Sequence, residues 1–159
     1  LDVGVVRSAG AEISRIKAVQ LEVVRDRPPL KCTPQYAAEA GRQSEAKCGV
    51  LVDMIAGKPL RLYYERNSLK YAPKVTQSVW QAAADKRNRA FVPRARHEVL
   101  DDHIPLNEIA KIPTTDLIDF DYRYWHTTAD APQNCSAKSL ESVADVLLYW
   151  IQVLPGLRE

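Results

Sequence analysis

From Gly49 to Ile55 the chain reads Gly-Val-Leu-Val-Asp-Met-Ile, a nearly unbroken apolar run of strand length that ends at Gly57. This pattern predicts a strand buried in an α/β sheet. Leu60, Leu62 and Tyr64 then alternate with Arg61, Tyr63 and Glu65, predicting a second, half-buried strand with the latter three on its outer face. From Pro73 onward Val75, Val79 and Ala83 recur at every fourth position with Trp80 beside them, which predicts a helix. Lys86-Arg87-Asn88 marks its end, since basic residues suit the negative pole of a helix. Ala90-Phe91-Val92 and Thr114 to Ile118, entered through Ile112-Pro113, read as short strands. Ser136 is placed to cap a last helix, in which Leu140, Val143, Ala144, Leu147, Leu148 and Ile151 form the stripe expected to face the sheet. Pro155-Gly156 stops it. Trp80, Leu140, Val143, Leu147 and Ile151 are therefore expected to be buried. Strands alternating with helices predict an α/β fold, with a mixed, mostly parallel sheet flanked by helices.

The first 47 residues differ in character. They hold eight Lys or Arg and no His, Trp or Phe, and Ala11 to Val24 carries only a ragged helical stripe of Ile13, Ile16, Lys17 and Gln20. The chain accordingly divides into a segment 1–47 and an α/β part 48–159. At 159 residues, 46% hydrophobic and 26% charged, it has room for one domain with a real core. A net charge of +2 is far below the excess of a dedicated nucleic-acid binder, so no nucleic-acid partner is expected. The longest apolar run, Val146 to Ile151, is too short to span a membrane. Cys32, Cys48 and Cys135 are widely spaced and form no CxxC pair, which excludes a zinc ribbon but leaves one disulfide plus a free thiol open. The start at Leu1, without Met or an export signal, reads as a processed, trimmed or incomplete N-terminus.

Three sites place polar residues where apolar ones would cost less. Asp53 closes the buried strand, and the carboxyl ends of strands are where ligands bind in open α/β sheets; it is either a local cap or a ligand. In Asp101-Asp102-His103-Ile104-Pro105, adjacent carboxylates beside an imidazole can share protons or bind a cation, or can lie in a solvated loop. Tyr122 to Asp130 is an aromatic-rich loop in which His126 is a potential ligand and Trp125 a potential pocket wall, unless both simply pack.

The order of these motifs along the chain resembles the zinc-dependent exopeptidase family, which includes bacterial aminopeptidases and glutaminyl cyclases. The residues that carry the resemblance are Gly49-Val-Leu-Val-Asp53-Met, Asp101-Asp102-His103-Ile-Pro-Leu, Ile112-Pro113, and Trp125-His126-Thr-Thr-Ala-Asp130, within residues 49–151. The resemblance implies that Asp53 and His126 are metal ligands, Asp53 serving in cyclases as a proton-network residue instead. It implies that Asp101 matches a carboxylate that in cyclases hydrogen-bonds the catalytic acid/base, and that Trp125 matches the indole that in cyclases flanks the histidine and lines the pocket for the substrate's N-terminal residue. The implied cofactor is zinc, which activates water and polarises a carbonyl. The implied partner is a peptide with a free N-terminus.

The family's other ligands and its general base come from a His followed closely by an Asp, and from an acidic pair, in its N-terminal half. Residues 1–47 contain no histidine, and their acidic residues form no such pair. His97 and His103 match no family ligand, although His103 is near enough to Asp101 in sequence to scavenge metal weakly. The chain thus reads as the C-terminal part of the fold, as a domain preceded by an out-of-frame segment, or as a member that has lost catalysis. The function implied is peptide hydrolysis of the aminopeptidase type, with glutaminyl cyclisation or non-catalytic peptide binding as alternatives. An incomplete sheet also implies self-association through an open edge.

Overall fold

The computed structural model describes residues 37–38 and 46–153. In chain order the elements are β1 (Gly49–Asp53), β2 (Leu62–Tyr64), α1 (Arg66–Tyr71), α2 (Pro73–Asp85), β3 (Phe91–Ala95), α3 (His103–Glu108), β4 (Thr114–Ile118) and α4 (Ala137–Val153). A short 3-10 turn, Pro132–Asn134, precedes α4. β1 and β4 pair in parallel, from Gly49 opposite Thr114 to Asp53 opposite Ile118. β2 and β3 form a second parallel pair, with Leu62 opposite Phe91. Parallel strands require a crossover, and α2 supplies the one between β2 and β3. The expected α/β class and parallel pairing are what the structure shows.

One core joins both pairs. Val50, Leu62, Phe91 and Leu117, one from each strand, meet Val79 and Trp80 of α2 and Val143, Val146 and Trp150 of α4. Trp80 packs against Tyr64 and, edge-on, against Phe91, while its indole N–H donates to the Val92 carbonyl at 3.2 Å. Every residue of β4 is buried, including Thr114, Thr115 and Asp116. Side chains take up β4 backbone groups that would otherwise be stranded. The Asp116 N–H donates to Ser68 Oγ at 2.9 Å, and the Asn107 amide meets both N–H and C=O of Thr114 at 2.9 and 2.8 Å. Helices α1 and α3 therefore close this strand as a neighbouring strand would.

Two expectations about facing are corrected. Glu65, expected on the outer face of the second strand, is buried, because its carboxylate turns inward to cap α1. The last helix is capped by Ser136 as expected, with the Ser139 N–H donating to its Oγ at 3.3 Å. Its buried row, however, is Ser139, Val143, Val146 and Trp150. Leu140 and Leu148 are exposed, Ala144 is exposed, and Leu147 and Ile151 are half-buried. Apolar residues surround so much of this helix that hydropathy alone leaves its rotation open. Two polar anchors fix it: Ser139 Oγ donates to the Gly57 carbonyl at 2.7 Å, and the Trp150 indole donates to Ser78 Oγ at 2.9 Å. Trp150→Ala should accordingly cost about 3–5 kcal/mol in urea melts. Leu140→Ala should stay within about 0.5 kcal/mol. The reverse ranking would restore the stripe read from the sequence.

Among the described residues, neither Cys48 nor Cys135 is in a disulfide. No helix among the described residues is long and apolar enough to cross a membrane. The Ala11–Val24 stripe, Cys32 and the Pro155-Gly156 stop lie outside the described residues.

Candidate functional site

Because β1 and β4 run in parallel, Asp53 and the loop that follows Ile118 emerge at the same end of the sheet. Asp53 Oδ1 accepts the Met54 N–H at 2.8 Å, and Met54 turns the chain sharply with a φ of 50°. Burial pushes the Asp53 carboxyl up, and the negative charge of Asp101 pushes it further. The fold thus brings two of the four sequence-derived site residues into one electrostatic neighbourhood. Asp101 lies in the turn before α3, where its Oδ1 accepts the Asp102 N–H at 2.7 Å.

The other two residues lie together in the loop after β4. Trp125 is 43% exposed, leaving its indole open for contact with a ligand. Its ring stacks on His126 at 4.3 Å between centroids and packs against Phe120 at 4.9 Å. His126 is exposed and holds a φ of 56°, a left-handed conformation uncommon outside glycine but one that His adopts more readily than most residues. At the base of this loop, buried Asp119 accepts the Arg61 N–H at 3.3 Å. Burial pushes the Asp119 carboxyl up, against the pull of the Arg61 and Asp121 N–H groups. Gly57 leaves room for this base, since a Cβ there would meet the Tyr122 ring at 3.1 Å and Asp119 Oδ2 at 3.2 Å.

Beneath the Asp101-Asp102 turn lies a buried array that the sequence reading missed. His103 is fully buried, with Nε2 3.1 Å from Glu65 Oε2 and Nδ1 3.7 Å from Asp116 Oδ2. It is therefore not the solvated imidazole that would scavenge metal beside Asp101. Burial pushes the Glu65 carboxyl up, but the His103 side chain and the N–H groups of Val99, Asn67 and Ser68 outweigh that and hold it at about 2. The signal for Asp116 was available: a carboxylate inside the strand Thr114–Ile118 raises the same question as the one closing β1.

A catalytic zinc typically takes three protein ligands. Asp53 and His126 are donors of the right type. Among the described residues, however, no group of three or more His, Cys, Asp or Glu side chains is placed to hold a metal ion. The set does not close, so no catalytic step is assigned through the metal.

A family model described as "Peptidase family M28" matches residues 32–151. Among solved structures, the glutaminyl cyclase of Fimbriiglobus ruber is 37% identical with a TM-score of 0.70, over 75% of this chain and 42% of that one. A leucine aminopeptidase precursor from Bacteroides thetaiotaomicron is 27% identical, TM-score 0.68, over 74% and 43%. A Zn-dependent exopeptidase from Parabacteroides distasonis is 26% identical, TM-score 0.64, over 80% and 48%. The chain spans less than half the length of each of these three. No curated protein gives a significant match.

Proposed function

This chain belongs to peptidase family M28, and we propose that it forms the C-terminal part of a zinc-dependent peptide hydrolase of the aminopeptidase type. The observation that supports the reading is the shared sheet end: Asp53 closes β1, the loop that carries Trp125 and His126 follows its parallel partner β4, and the negative charge of Asp101 acts on the Asp53 carboxyl. In this reading Asp53 and His126 are zinc ligands, and Asp101 holds a proton position beside the general base. Trp125 packs on the N-terminal residue of a peptide with a free amino end. A raised Asp53 carboxyl fits a ligand role, because two coupled carboxylates in a half-buried site are relieved by a cation. Self-association belongs to the same proposal, since β1 has one strand partner among the described residues.

A second reading, glutaminyl cyclisation, is favoured by the 37% identity to a glutaminyl cyclase and by the Trp125–His126 stack. The test is a chimera that places the N-terminal half of the Parabacteroides distasonis exopeptidase ahead of Cys48, assayed with zinc on peptides beginning with Leu or Gln. Release of free Leu and Gln is expected. Ammonia and a pyroglutamyl peptide would favour the cyclase, and peptide retention without turnover would favour a binding domain.

A further inference from the structure

Asp116 stands in the middle of β4 with no exposed surface, and neither of its carboxyl oxygens has a hydrogen-bond partner among the described residues. The same holds for His103 Nδ1, its neighbour at 3.7 Å. Glu65, on the far side of the imidazole, is in the opposite situation. Its two oxygens accept the N–H groups of Asn67, Ser68 and Val99 at 2.9, 2.6 and 2.9 Å and the Ser68 hydroxyl at 2.9 Å, besides facing His103 Nε2. With so many donors, Glu65 is the anion of the array.

Asp116 has no donor to stabilise a charge. Its nearest titratable neighbour is the His103 imidazole of α3 at 3.7 Å, and the charges that act on it are those of Asp101 and Asp102 in the turn before α3, Glu65 at the head of α1 and Asp53 at the end of β1. All but the imidazole are acidic. An ionised carboxylate with no donors, buried among other carboxylates, is the arrangement that proteins avoid by taking up a proton. A protonated carboxyl gains an O–H donor, and Nδ1 is the nearby atom able to accept it.

We propose that Asp116 is a neutral carboxylic acid whose O–H is directed at His103 Nδ1. This fixes the imidazole as the Nε2–H tautomer that donates to Glu65. The array Glu65–His103–Asp116 then ties the head of α1, the first residue of α3 and the centre of β4 together through one buried anion instead of two. It lies directly under the turn that carries Asp101 and spares that turn a further negative charge. The relevance to the site rests on the metallopeptidase reading; the protonation of Asp116 does not.

The sign of the pH dependence follows. In the unfolded chain Asp116 loses its proton near about pH 3.9, whereas the folded chain keeps it to higher pH. Folding above the ordinary carboxylate range therefore takes up one proton, and that contribution to stability falls as pH rises towards the folded-state value. Asp116→Asn is nearly isosteric, presents an N–H donor to Nδ1 and carries no titrating group. Urea melts of both proteins should be compared from about pH 4 to about pH 8, where one linked proton corresponds to about tenfold per pH unit. The folding constant of the variant relative to the native chain should rise by about that factor per unit until the folded-state value is passed. Parallel curves would overturn the proposal. Should the variant fail to fold, infrared spectra of the native chain with 13C-labelled aspartate decide the matter. A protonated-acid carbonyl band that persists at neutral pH is expected, and its absence would overturn the proposal. Long-range 1H–15N spectra should show His103 protonated at Nε2, and an Nδ1–H signal would overturn it equally. None of these readouts involves catalysis, so failure of the functional reading leaves them intact.

Discussion

Glu65→Ala should cost about 3–5 kcal/mol in urea melts, as expected when one partner of a buried charged cluster is removed. The substitution strips the cap from α1, stranding the Asn67 and Ser68 N–H groups. It also removes the acceptor of Val99 N–H and of His103 Nε2, both buried. Stranding several buried donors at once puts the loss at the upper end of single-substitution effects. Glu65→Gln keeps the shape but replaces one acceptor oxygen with a donor, and should fall between the native chain and Glu65→Ala. The pH dependence has a definite sign. Because the folded-state carboxyl titrates at about 2, below its ordinary value of 4.5, its contribution is present above that value and is lost as pH falls through about 2. Acid titration followed by circular dichroism should therefore show a component of unfolding below about pH 4.5 that is missing in Glu65→Gln. A Glu65→Ala variant that melts like the native chain would mean that the cap and the His103 contact contribute nothing measurable.

The second large effect concerns metal. The 159-residue chain, purified and dialysed, should keep far less than one zinc per molecule and should not cleave aminoacyl substrates when zinc is added. Asp53 and His126 are two donors where a catalytic zinc typically takes three, and residues 1–47 contain no histidine to supply the third. His103 cannot substitute, since it is fully buried between Glu65 and Asp116. A site short of ligands also lacks the geometry that lowers the pKa of bound water to about 7. Elemental analysis alongside an aminopeptidase assay checks this. One tightly held zinc, with turnover abolished by His126→Ala, would mean that residues 1–47 contribute ligands of another kind.

How much of this was legible in the sequence depended on whether a local pattern decided the outcome. β1 and β4 were legible because each is a compact run bounded by glycine or proline. α2 was legible because its spacing of four between Val75, Val79 and Ala83 coincides with an N-terminal proline and with basic residues from the C-cap Lys86 onward. The rotation of α4 was not, because Leu140, Val143, Leu147 and Trp150 all satisfy a hydropathy pattern, and the choice among them falls to Ser139 and Trp150 bonding to residues far away in sequence. Glu65 was misplaced for a related reason. Strand alternation puts it outside, but the strand ends at Tyr64 and the residue becomes a helix cap. The buried array depends on three residues drawn from three elements, Glu65, His103 and Asp116, and nothing local announces their meeting. Asp53 and Asp101 are 48 positions apart, and the resemblance names each as a site residue, but no local pattern states how the two are placed relative to each other.

The account's central claim is that Asp53 and His126 belong to one zinc site, and metal content of the chimera carrying the exopeptidase N-terminal half ahead of Cys48 tests it most directly. The account predicts one zinc per chain after dialysis, lost in Asp53→Ala and in His126→Ala and kept in Asp130→Ala, which removes an exposed carboxylate from the same loop. Stoichiometric zinc that survives His126→Ala would contradict it.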